Sequence, residues 1–356
     1  MGDCKMRKKK SITLRELAKQ LDLSVHTVSK ALRGLPGMSE ETRSEVIRKA
    51  QEGGYRTKDQ ERVHAVERIP LYSAGKPYRF GLVISDQSAA MELNQLIMSG
   101  LQSKLSEYGH TVEILIVPNI VEQGKTFDHW LALHPLEYLD GIFIGPMVGV
   151  EQEARLLQYR IPRILINFPG HAAEVDSITW DVGTAIHQSM RYLFAKGHRN
   201  IIYVGRREKH RGFIIRWQAF EQACAAAGLA CLPEDHMLDY ENQQHWNEQF
   251  IEKLRRLQPT AILCGVKTDL AWIYNACSVL GKRIPEDISL ISMMHIEDQH
   301  VPELSRPVIR IRESGVRAAE RMLWRLANPN HPYEHILLQG VLFEGATVRV
   351  APTRTD

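Results

Sequence analysis

Apolar residues near the N-terminus recur with the period of a helix. The positions spaced i, i+3, i+4 and i+7 are Leu14, Leu17, Ala18 and Leu21. Such spacing places the four side chains on one side of a helix of about two turns. The tetrapeptide TLRE, residues 13–16, has the composition of a capping box, in which a hydroxyl and a carboxylate satisfy free amides at the start of a helix. The pattern predicts a helix that begins after Thr13.

A second helix is predicted after Ser24, and its two sides differ in character. Ser24 is a favourable N-cap, and Asp22 tolerates the left-handed backbone that a tight turn requires. The inner side has Val28, Ala31 and Leu32. The outer side has His26, Ser29, Lys30 and Arg33, with Val25 at its edge. An outward polar side of this kind is either solvated or contacts a partner.

A third helix is predicted from Ser39 to Gly53, because acidic residues fill its first turn and a glycine pair ends it. Its inward positions are expected to be Val46, Ile47 and Ala50. Three short helices, the first two joined by a tight turn, form a helix-turn-helix unit.

From Arg79 the pattern changes to short apolar runs that alternate with amphipathic helices. The predicted strands are FGLVIS, VEILIV, GIFIG, RILIN, ITW, IIYVG, AILCG and ISLIS. The predicted helices span residues 91–108, 182–196, 216–227 and 269–280. Alternating strands and helices are typical of parallel sheets covered on both faces, with ligands at the carboxyl ends of the strands. The fold class is therefore α/β, with two parallel-sheet lobes and a cleft between them.

These patterns divide the chain into three parts. A helix-turn-helix domain is predicted at residues 11–58, a hinge or linker at 59–78, and a two-lobed core at 79–356. The chain is expected to cross between the lobes near Ser177 and Ile309. The N-subdomain then comprises residues 79–176 and 309–330. The C-subdomain comprises residues 177–308 and 331–356, including the last strands near Ile336 and Val341.

Positive charge is concentrated at the N-terminus. Residues 1–58 contain 14 basic and 7 acidic residues, a net charge of +7, whereas the remainder has a net charge of −4. A local basic excess favours binding to an anionic polymer, although a solvated basic tail is the alternative. Five scattered cysteines, no secretory signal and no apolar run of about 18 residues indicate a reduced, cytoplasmic protein that does not span a membrane.

The helical segment closely resembles the DNA-binding headpiece of the LacI/GalR (lactose repressor) family. The similar stretches are TLRELAKQLDLSVHTVSKALRG and MSEETRSEVIRKAQEGGYR. The resemblance implies major-groove base contacts by Val25, His26, Ser29 and Lys30. It also implies phosphate contacts by Thr13, Ser24, Thr27 and Ser39, all of which are equally suited to capping helices. The family usually has Gly at the position of Asp22 and commonly Arg at the position of Lys30, so base preference is expected to differ.

The segment after the headpiece departs from the family pattern. Thr57 replaces a proline, and the leucine that members insert into the minor groove is absent. Val63, Ala65 or Val66 could take that role in a helix at residues 59–68. A plain linker is an equal alternative.

The resemblance continues more loosely through the core, where it implies effector contacts at strand ends. The expected residues are Asp86, Gln87, Asp181, Arg216 and Asp269. Asp181 and Asp269 are equally suited to capping the helices that follow them. The late loop SMMHIEDQH lacks the family's usual acidic signature. Its His295, Glu297, Asp298 and His300 match no common metal-site spacing, so we expect no metal.

The sequence thus favours a DNA-binding transcriptional regulator over an enzyme. The dinucleotide, P-loop, nucleophile-elbow and zinc-protease motifs are all absent, and neither a catalytic residue nor a cofactor is expected. The resemblance implies a repressor that binds a pseudo-palindromic operator in double-stranded DNA as a homodimer, under control of a small molecule such as a sugar or related metabolite. The alternatives are a small-molecule binding protein without regulatory DNA contact and an enzyme with a fused headpiece.

Overall fold

The computed structural model divides the chain into two units, Met1–Ile69 and Pro70–Asp356. The structure describes residues 12–32, 35–52, 55, 76–86, 91–118, 127–207, 210–238, 243–266, 270–294 and 303–352, apart from the side chains of 51, 243 and 244. The predicted hinge helix at 59–68 and the four candidate metal residues of the late loop lie outside these ranges. No helix within them is long and apolar enough to cross a bilayer.

The first unit contains the three predicted helices. They are α1 Leu14–Gln20, α2 Val25–Leu32 and α3 Glu40–Glu52. The capping box at Thr13 and Glu16 is present, and Asp22 has the predicted left-handed backbone with φ of 52°. The buried core consists of Leu17, Ala18, Val28, Ala31, Val46 and Ala50. The prediction for Ile47 was wrong: its side chain is exposed, because Val46 and Ala50 define the inward stripe of α3.

The second unit begins with a six-stranded parallel sheet. Its strands are β1 Arg79–Ser85, β2 Thr111–Val117, β3 Gly141–Ile144, β4 Arg163–Leu165, β5 Asp176–Trp180 and β10 His335–Leu338. Their order is β10-β5-β4-β3-β1-β2, so β2 is an edge strand. The associated helices are α4 Met91–Ser106, α5 Phe127–Leu133, α6 Val150–Leu156 and α11 Ile311–Ala327. The two faces of the sheet contribute to two separate apolar clusters, as expected for a parallel sheet covered on both sides.

Two glycines allow α4 and α11 to pack with their backbones in close contact. A Cβ atom on Gly100 would lie 2.1 Å from the carbonyl oxygen of Arg312, and one on Gly315 would lie 2.3 Å from that of Ile97. No larger residue fits at either position. The two helices therefore cover one face of the first sheet as a single layer.

A second parallel sheet has three strands in the order β6-β7-β8. The strands are β6 Ile201–Val204, β7 Ala261–Cys264 and β8 Ser289–Ser292. The associated helices are α7 Val182–Ala195, α8 Arg211–Ala226, α9 Gln243–Leu257 and α10 Leu270–Val279. Two short antiparallel strands, β9 Arg306–Pro307 and β11 Leu342–Phe343, pair with each other. The α/β class with two parallel sheets is as predicted.

The predicted division of the last segment between the lobes was wrong. Strand β10 pairs in parallel with β5 in the first sheet, whereas we assigned residues 331–356 to the C-subdomain. The chain returns to the second sheet later, where the Leu290 amide donates to the carbonyl of Thr347. β5 also belongs wholly to the first sheet, so the first crossing follows Trp180 rather than Ser177. The chain therefore crosses between the two sheets three times.

A buried carboxylate fixes this connectivity. Asp176, at the start of β5, is fully buried and accepts hydrogen bonds from Arg321 and Arg325 of α11. It also accepts one from the Glu334 amide, which immediately precedes β10. Burial alone would raise the pKa of Asp176, but hydrogen bonds from Arg325 and Arg321 outweigh burial and lower it. One side chain thus ties β5, α11 and the entry to β10 together.

Asp176→Asn should lower the free energy of unfolding by about 3 kcal/mol, because it removes the buried carboxylate from Arg325 and leaves Arg321 paired with the exposed Glu334. Chemical denaturation near neutral pH measures this loss. The lowered pKa means that the carboxylate stabilises the fold above the ordinary pKa of aspartate, and that this stability is lost as the pH falls through the folded-state value. Glu107→Gln, which breaks an exposed ion pair with Lys104, is the control and should change stability by under about 1 kcal/mol. Equal effects of the two variants would contradict the role of the cluster.

Candidate nucleic-acid interface and cleft residues

The outward side of α2 is formed by the residues that the sequence predicted. Val28 and Ala31 are buried, whereas His26 is exposed and Val25 is 43% exposed. Ser29 and Lys30 are half-buried. The Lys30 ammonium extends toward Gly37, where it lies 4.0 Å from the position that a Cβ atom would occupy. The helix therefore presents a mixed apolar, imidazole, hydroxyl and ammonium surface on a backbone held by buried contacts.

The four predicted phosphate-contacting hydroxyls are arranged at the starts of helices. Thr13 accepts from the Glu16 amide at 3.3 Å, and Ser24 accepts from the Thr27 amide at 3.0 Å. Ser39 accepts in the same way from the Thr42 amide at 3.2 Å. The capping alternative is thus present for Thr13, Ser24 and Ser39. A phosphate oxygen only accepts, so a hydroxyl must donate to it. The Thr13 hydroxyl already donates to Glu16 Oε2 at 2.8 Å, whereas the hydroxyl pairs Ser24–Thr27 and Ser39–Thr42, each joined at 2.8 Å, keep one O–H per pair that can donate outward.

Arg216 lies in the second turn of α8, because that helix begins five residues before the predicted start. Its Nη1 atom donates to the carbonyl of Gly265 at 2.7 Å, immediately after β7. Its Nε atom is buried and has no hydrogen-bond partner among the described residues. Burial lowers the pKa of the guanidinium, with smaller opposing effects from neighbouring groups. This group has the chemistry to bind a polar or anionic ligand atom.

Tyr203 is a second polar group beside Arg216, and no sequence pattern indicated it. The Tyr203 hydroxyl is buried without a hydrogen-bond partner among the described residues, and burial raises its pKa. A Cβ atom on Gly265 would lie 2.4 Å from this hydroxyl, so Gly265 is required for the tyrosine to fit. Together Tyr203 and Arg216 place two polar atoms with unused hydrogen-bonding capacity near the ends of β6 and β7.

The acidic residues predicted for the cleft have different environments. Asp181 caps α7: its Oδ1 accepts from the Thr184 amide at 2.9 Å, and its Oδ2 accepts from the Thr184 hydroxyl at 2.6 Å. Asp86 is exposed after β1 and lines a surface groove with α4 and β2. Gln87 and Asp269 lie outside the described residues. Asp86 thus lies at the first sheet and Arg216 at the second, and the structure shows no contact between them within the described residues.

An ion pair joins the lobe of the first sheet to the lobe of the second, and the sequence did not predict it. Arg211 at the start of α8 donates from Nη1 to Glu153 of α6 at 2.8 Å and 3.1 Å, and to the carbonyl of Phe168 at 2.8 Å. Burial raises the pKa of Glu153, although Arg211 opposes the shift. Gly212 packs against the Phe168 ring, which a Cβ atom would approach to 3.6 Å. We call this group of contacts, formed by Glu153, Phe168, Arg211 and Gly212, the interlobe clamp.

Known proteins are similar to this chain over nearly its whole length. The HTH-type transcriptional regulator AglR of Rhizobium meliloti is 26% identical, with 97% of this chain and 96% of AglR covered. The HTH-type transcriptional repressor PurR of Escherichia coli O139:H28 is 24% identical, with 96% and 98% covered. The family described as "Periplasmic binding protein-like domain" matches residues 190–348.

Solved structures share the fold. A lac repressor dimer bound to operator and an anti-inducer has a TM-score of 0.63 at 17% identity, covering 96% of this chain and all of that one. A complex of the transcriptional regulator CelR with cellobiose has a TM-score of 0.66 at 17% identity, with 94% and 99% covered. Over nearly its whole length the chain is thus similar to transcriptional regulators of the LacI/GalR type, in its headpiece sequence and in the fold of its two-sheet core.

Proposed function

We propose that this chain is a repressor that binds a specific pseudo-palindromic operator as a homodimer and responds to a small-molecule effector. The observation that carries the proposal is the outward side of α2. Two buried residues, Val28 and Ala31, anchor the helix, while Val25 and His26 extend away from the core. In helix-turn-helix proteins the second helix lies in the major groove, where each base pair presents a distinct pattern of donors and acceptors.

Backbone phosphates supply the sequence-independent part of the binding. The net charge of +7 over residues 1–58 favours a polyanion, and release of counterions from the DNA drives association. The hydroxyls of Ser24, Thr27 and Ser39 are suited to positioning the headpiece on phosphates. Binding should therefore weaken steeply as the salt concentration rises.

The effector site proposed for the cleft is centred on Arg216. Its unpartnered Nε atom and the nearby Tyr203 hydroxyl are suited to a ligand rich in oxygen atoms, such as a sugar or related metabolite. Asp181, Asp86, Gln87 and Asp269 remain candidate contacts, with Asp181 also serving as a helix cap. Cellobiose in the CelR complex is a ligand of the same chemical class.

The interlobe clamp supports a coupling between effector and DNA. Glu153 and Arg211 hold the two lobes together, so the clamp defines one of the arrangements that the core can adopt. An effector shifts such an equilibrium only by its difference in affinity for the two arrangements. We propose that the effector changes how far the lobes close and thereby the operator affinity.

The second copy is proposed to dock on the edge of the first sheet. Ile114 and Ile116 of the edge strand β2 are 46% and 52% exposed, and with Met98 they line a groove of about 950 Å³. Asn94 in the same groove has a buried Oδ1 atom without a hydrogen-bond partner among the described residues. An exposed apolar edge strand favours pairing with another chain, and a two-fold operator requires two headpieces.

Lys30→Ala should relax base preference at one position of each half-site, because the ammonium is the only cation among the four expected base contacts. Lys19→Ala removes the same charge from α1 and is the control. Its affinity for DNA should fall by a similar factor for every operator variant. Binding of single-base operator variants, measured by gel shift across a salt titration, tests the pair. An unchanged base profile for Lys30→Ala would contradict the assignment. Salt-insensitive or absent DNA binding would instead support a small-molecule binding protein.

Ile116→Glu should convert the homodimer to monomers and weaken operator binding at least ten-fold, because it places a charge in a desolvated apolar interface. Sedimentation velocity measures the assembly. Leu133→Glu is the matched control, since Leu133 is 64% exposed at the end of α5 on the other face of the sheet. A dimer that persists in the Ile116 variant would place the interface elsewhere.

Glu153→Gln should gain stability relative to the natural chain as the pH rises from about 4 to about 7. The raised pKa means that Glu153 contributes stability below its ordinary pKa and loses it as the pH rises through the folded-state value. Glutamine keeps the shape of the side chain but does not titrate. Denaturation curves at several pH values measure the difference between the two proteins. A variant that instead loses stability relative to the natural chain over this interval would show that the clamp is a net stabilising ion pair.

A further inference from the structure

Two thiols and an imidazole lie together at the end of α8, away from the contacts used above. Cys224 is buried in the last turns of the helix, and Cys231 is half-buried in the loop that follows. Gly228, with φ of +69°, reverses the chain between them. The side chains of Cys224 and Cys231 lie near enough to interact, with the Cys224 thiol as the donor.

His236 completes the cluster, and its hydrogen bonds determine its tautomer. Its Nδ1 atom accepts from the Tyr203 amide at 3.1 Å, so the ring proton of the neutral imidazole is on Nε2. Nε2 lies 3.4 Å from the Cys231 sulfur and therefore donates to it. The rings of Phe220 and Trp217, at centroid distances of 5.1 Å and 5.3 Å, hold the imidazole in this orientation.

These contacts make the two thiols chemically unequal. The hydrogen bond from Cys224 lowers the pKa of Cys231 to about 5, with further help from His236 and against the effect of burial. The same contact, together with burial, raises the pKa of Cys224. Cys231 is therefore the thiolate, the nucleophilic form of cysteine, and Cys224 remains a protonated partner. In contrast, burial raises the pKa of Cys277 to about 11.

A small cavity lies beside the cluster and has Cys224 and His236, but not Cys231, in its wall. It has a volume of about 90 Å³ and is also lined by Ala230 and Leu232 on either side of Cys231. This volume exceeds the roughly 30 Å³ occupied by one water molecule, so a small peroxide fits. Arg199 and Asn200 also line it and provide polar groups for the oxygen atoms of such a reagent.

We propose that Cys231, Cys224 and His236 form a site that reacts with small hydroperoxides and closes a disulfide within the C-subdomain. The geometry combines a half-buried sulfur, an imidazole donor 3.4 Å from it and a second thiol that the turn at Gly228 brings back toward the first. This proposal is independent of the DNA-binding function.

The reaction has two steps. The Cys231 thiolate attacks the distal oxygen of the hydroperoxide, an S–O bond forms, the O–O bond breaks, and the leaving oxygen takes a proton from solvent to give an alcohol or water. The Cys224 sulfur then attacks the Cys231 sulfenic acid, an S–S bond forms, the S–O bond breaks, and the Cys224 proton leaves with the hydroxide as water. The dithiol is oxidised by two electrons and the peroxide is reduced.

The position of the site gives the disulfide a structural consequence. Cys224 is on the same helix as Arg216, and the loop with Cys231 leads to Met237, whose carbonyl accepts from the Gly205 amide at 2.7 Å. A disulfide would fix that loop to the end of α8. Oxidation therefore acts on elements that also position Arg216 and Tyr203.

Mass-spectrometric peptide mapping of the full chain after stoichiometric hydrogen peroxide tests the proposal. The natural chain should form the Cys224–Cys231 disulfide before any other cysteine is oxidised. Cys224→Ser should accumulate a dimedone-trapped sulfenic acid on Cys231, and Cys231→Ser should leave Cys224 reduced. Cys277→Ala is the control and should behave as the natural chain does. Oxidation spread evenly over the cysteines, or absent from Cys231, would overturn the proposal.

His236→Gln separates a positioning role of the imidazole from the reactivity of an ordinary exposed thiol. Alkylation of Cys231 by iodoacetamide at about pH 6 should slow roughly ten-fold in this variant, with the midpoint of its pH profile shifted upward. Circular dichroism and the melting temperature check that the variant is folded. If the variant is unfolded, the test is the pH profile of Cys231 alkylation in the natural chain. A midpoint near the ordinary pKa of cysteine would overturn the proposal. A folded variant with an unchanged rate would also do so.

Discussion

The core depends on one buried carboxylate. Asp176 is held by the guanidinium groups of Arg321 and Arg325, and it links the strand at which the chain first leaves the N-subdomain to the helix and strand by which it returns. A charge buried in this way is tolerated only with its partners in place, so the pairing specifies where α11 and β10 pack. The pairing therefore keeps β5 and β10 side by side in the first sheet, with α11 tied to both.

The headpiece and the cleft use the same principle, a rigid support behind a polar surface. In the headpiece, Val28 and Ala31 are buried so that Val25 and His26 are free to contact a partner. In the core, Arg216 is held by the Gly265 carbonyl, while its buried Nε atom has no hydrogen-bond partner among the described residues, and this is the feature on which the proposed effector site depends. The interlobe clamp is different, because burial disfavours its ionised carboxylate and the pairing with Arg211 offsets this only in part. A contact of this kind suits a protein that changes between two arrangements.

Local sequence predicted much of this structure. The predictions that failed concern contacts between segments far apart in the chain. The strands were predicted because short β-branched runs bounded by polar residues have few alternatives, and the left-handed turn at Asp22 followed from its position between two helices. The pairing of β10 with β5 was missed because it joins segments about 160 residues apart. The early start of α8 was missed because RGFII is a poor helix former, and contact of Gly212 with Phe168 compensates. Glu153 and Tyr203 had no local signal, since burial created their properties.

The proposed function depends on base recognition by the outward side of α2. The most direct measurement is to let the full chain select duplexes from a randomised library at increasing salt concentrations and to sequence the bound DNA. If the dimer reads bases with its two α2 helices, the bound DNA should be enriched in a pseudo-palindrome whose half-site centres lie about one helical turn, or roughly 10 base pairs, apart. The motif should change when residues 25–30 are exchanged for those of a relative with another operator. Retention of all duplexes in proportion to their abundance in the library would contradict the account.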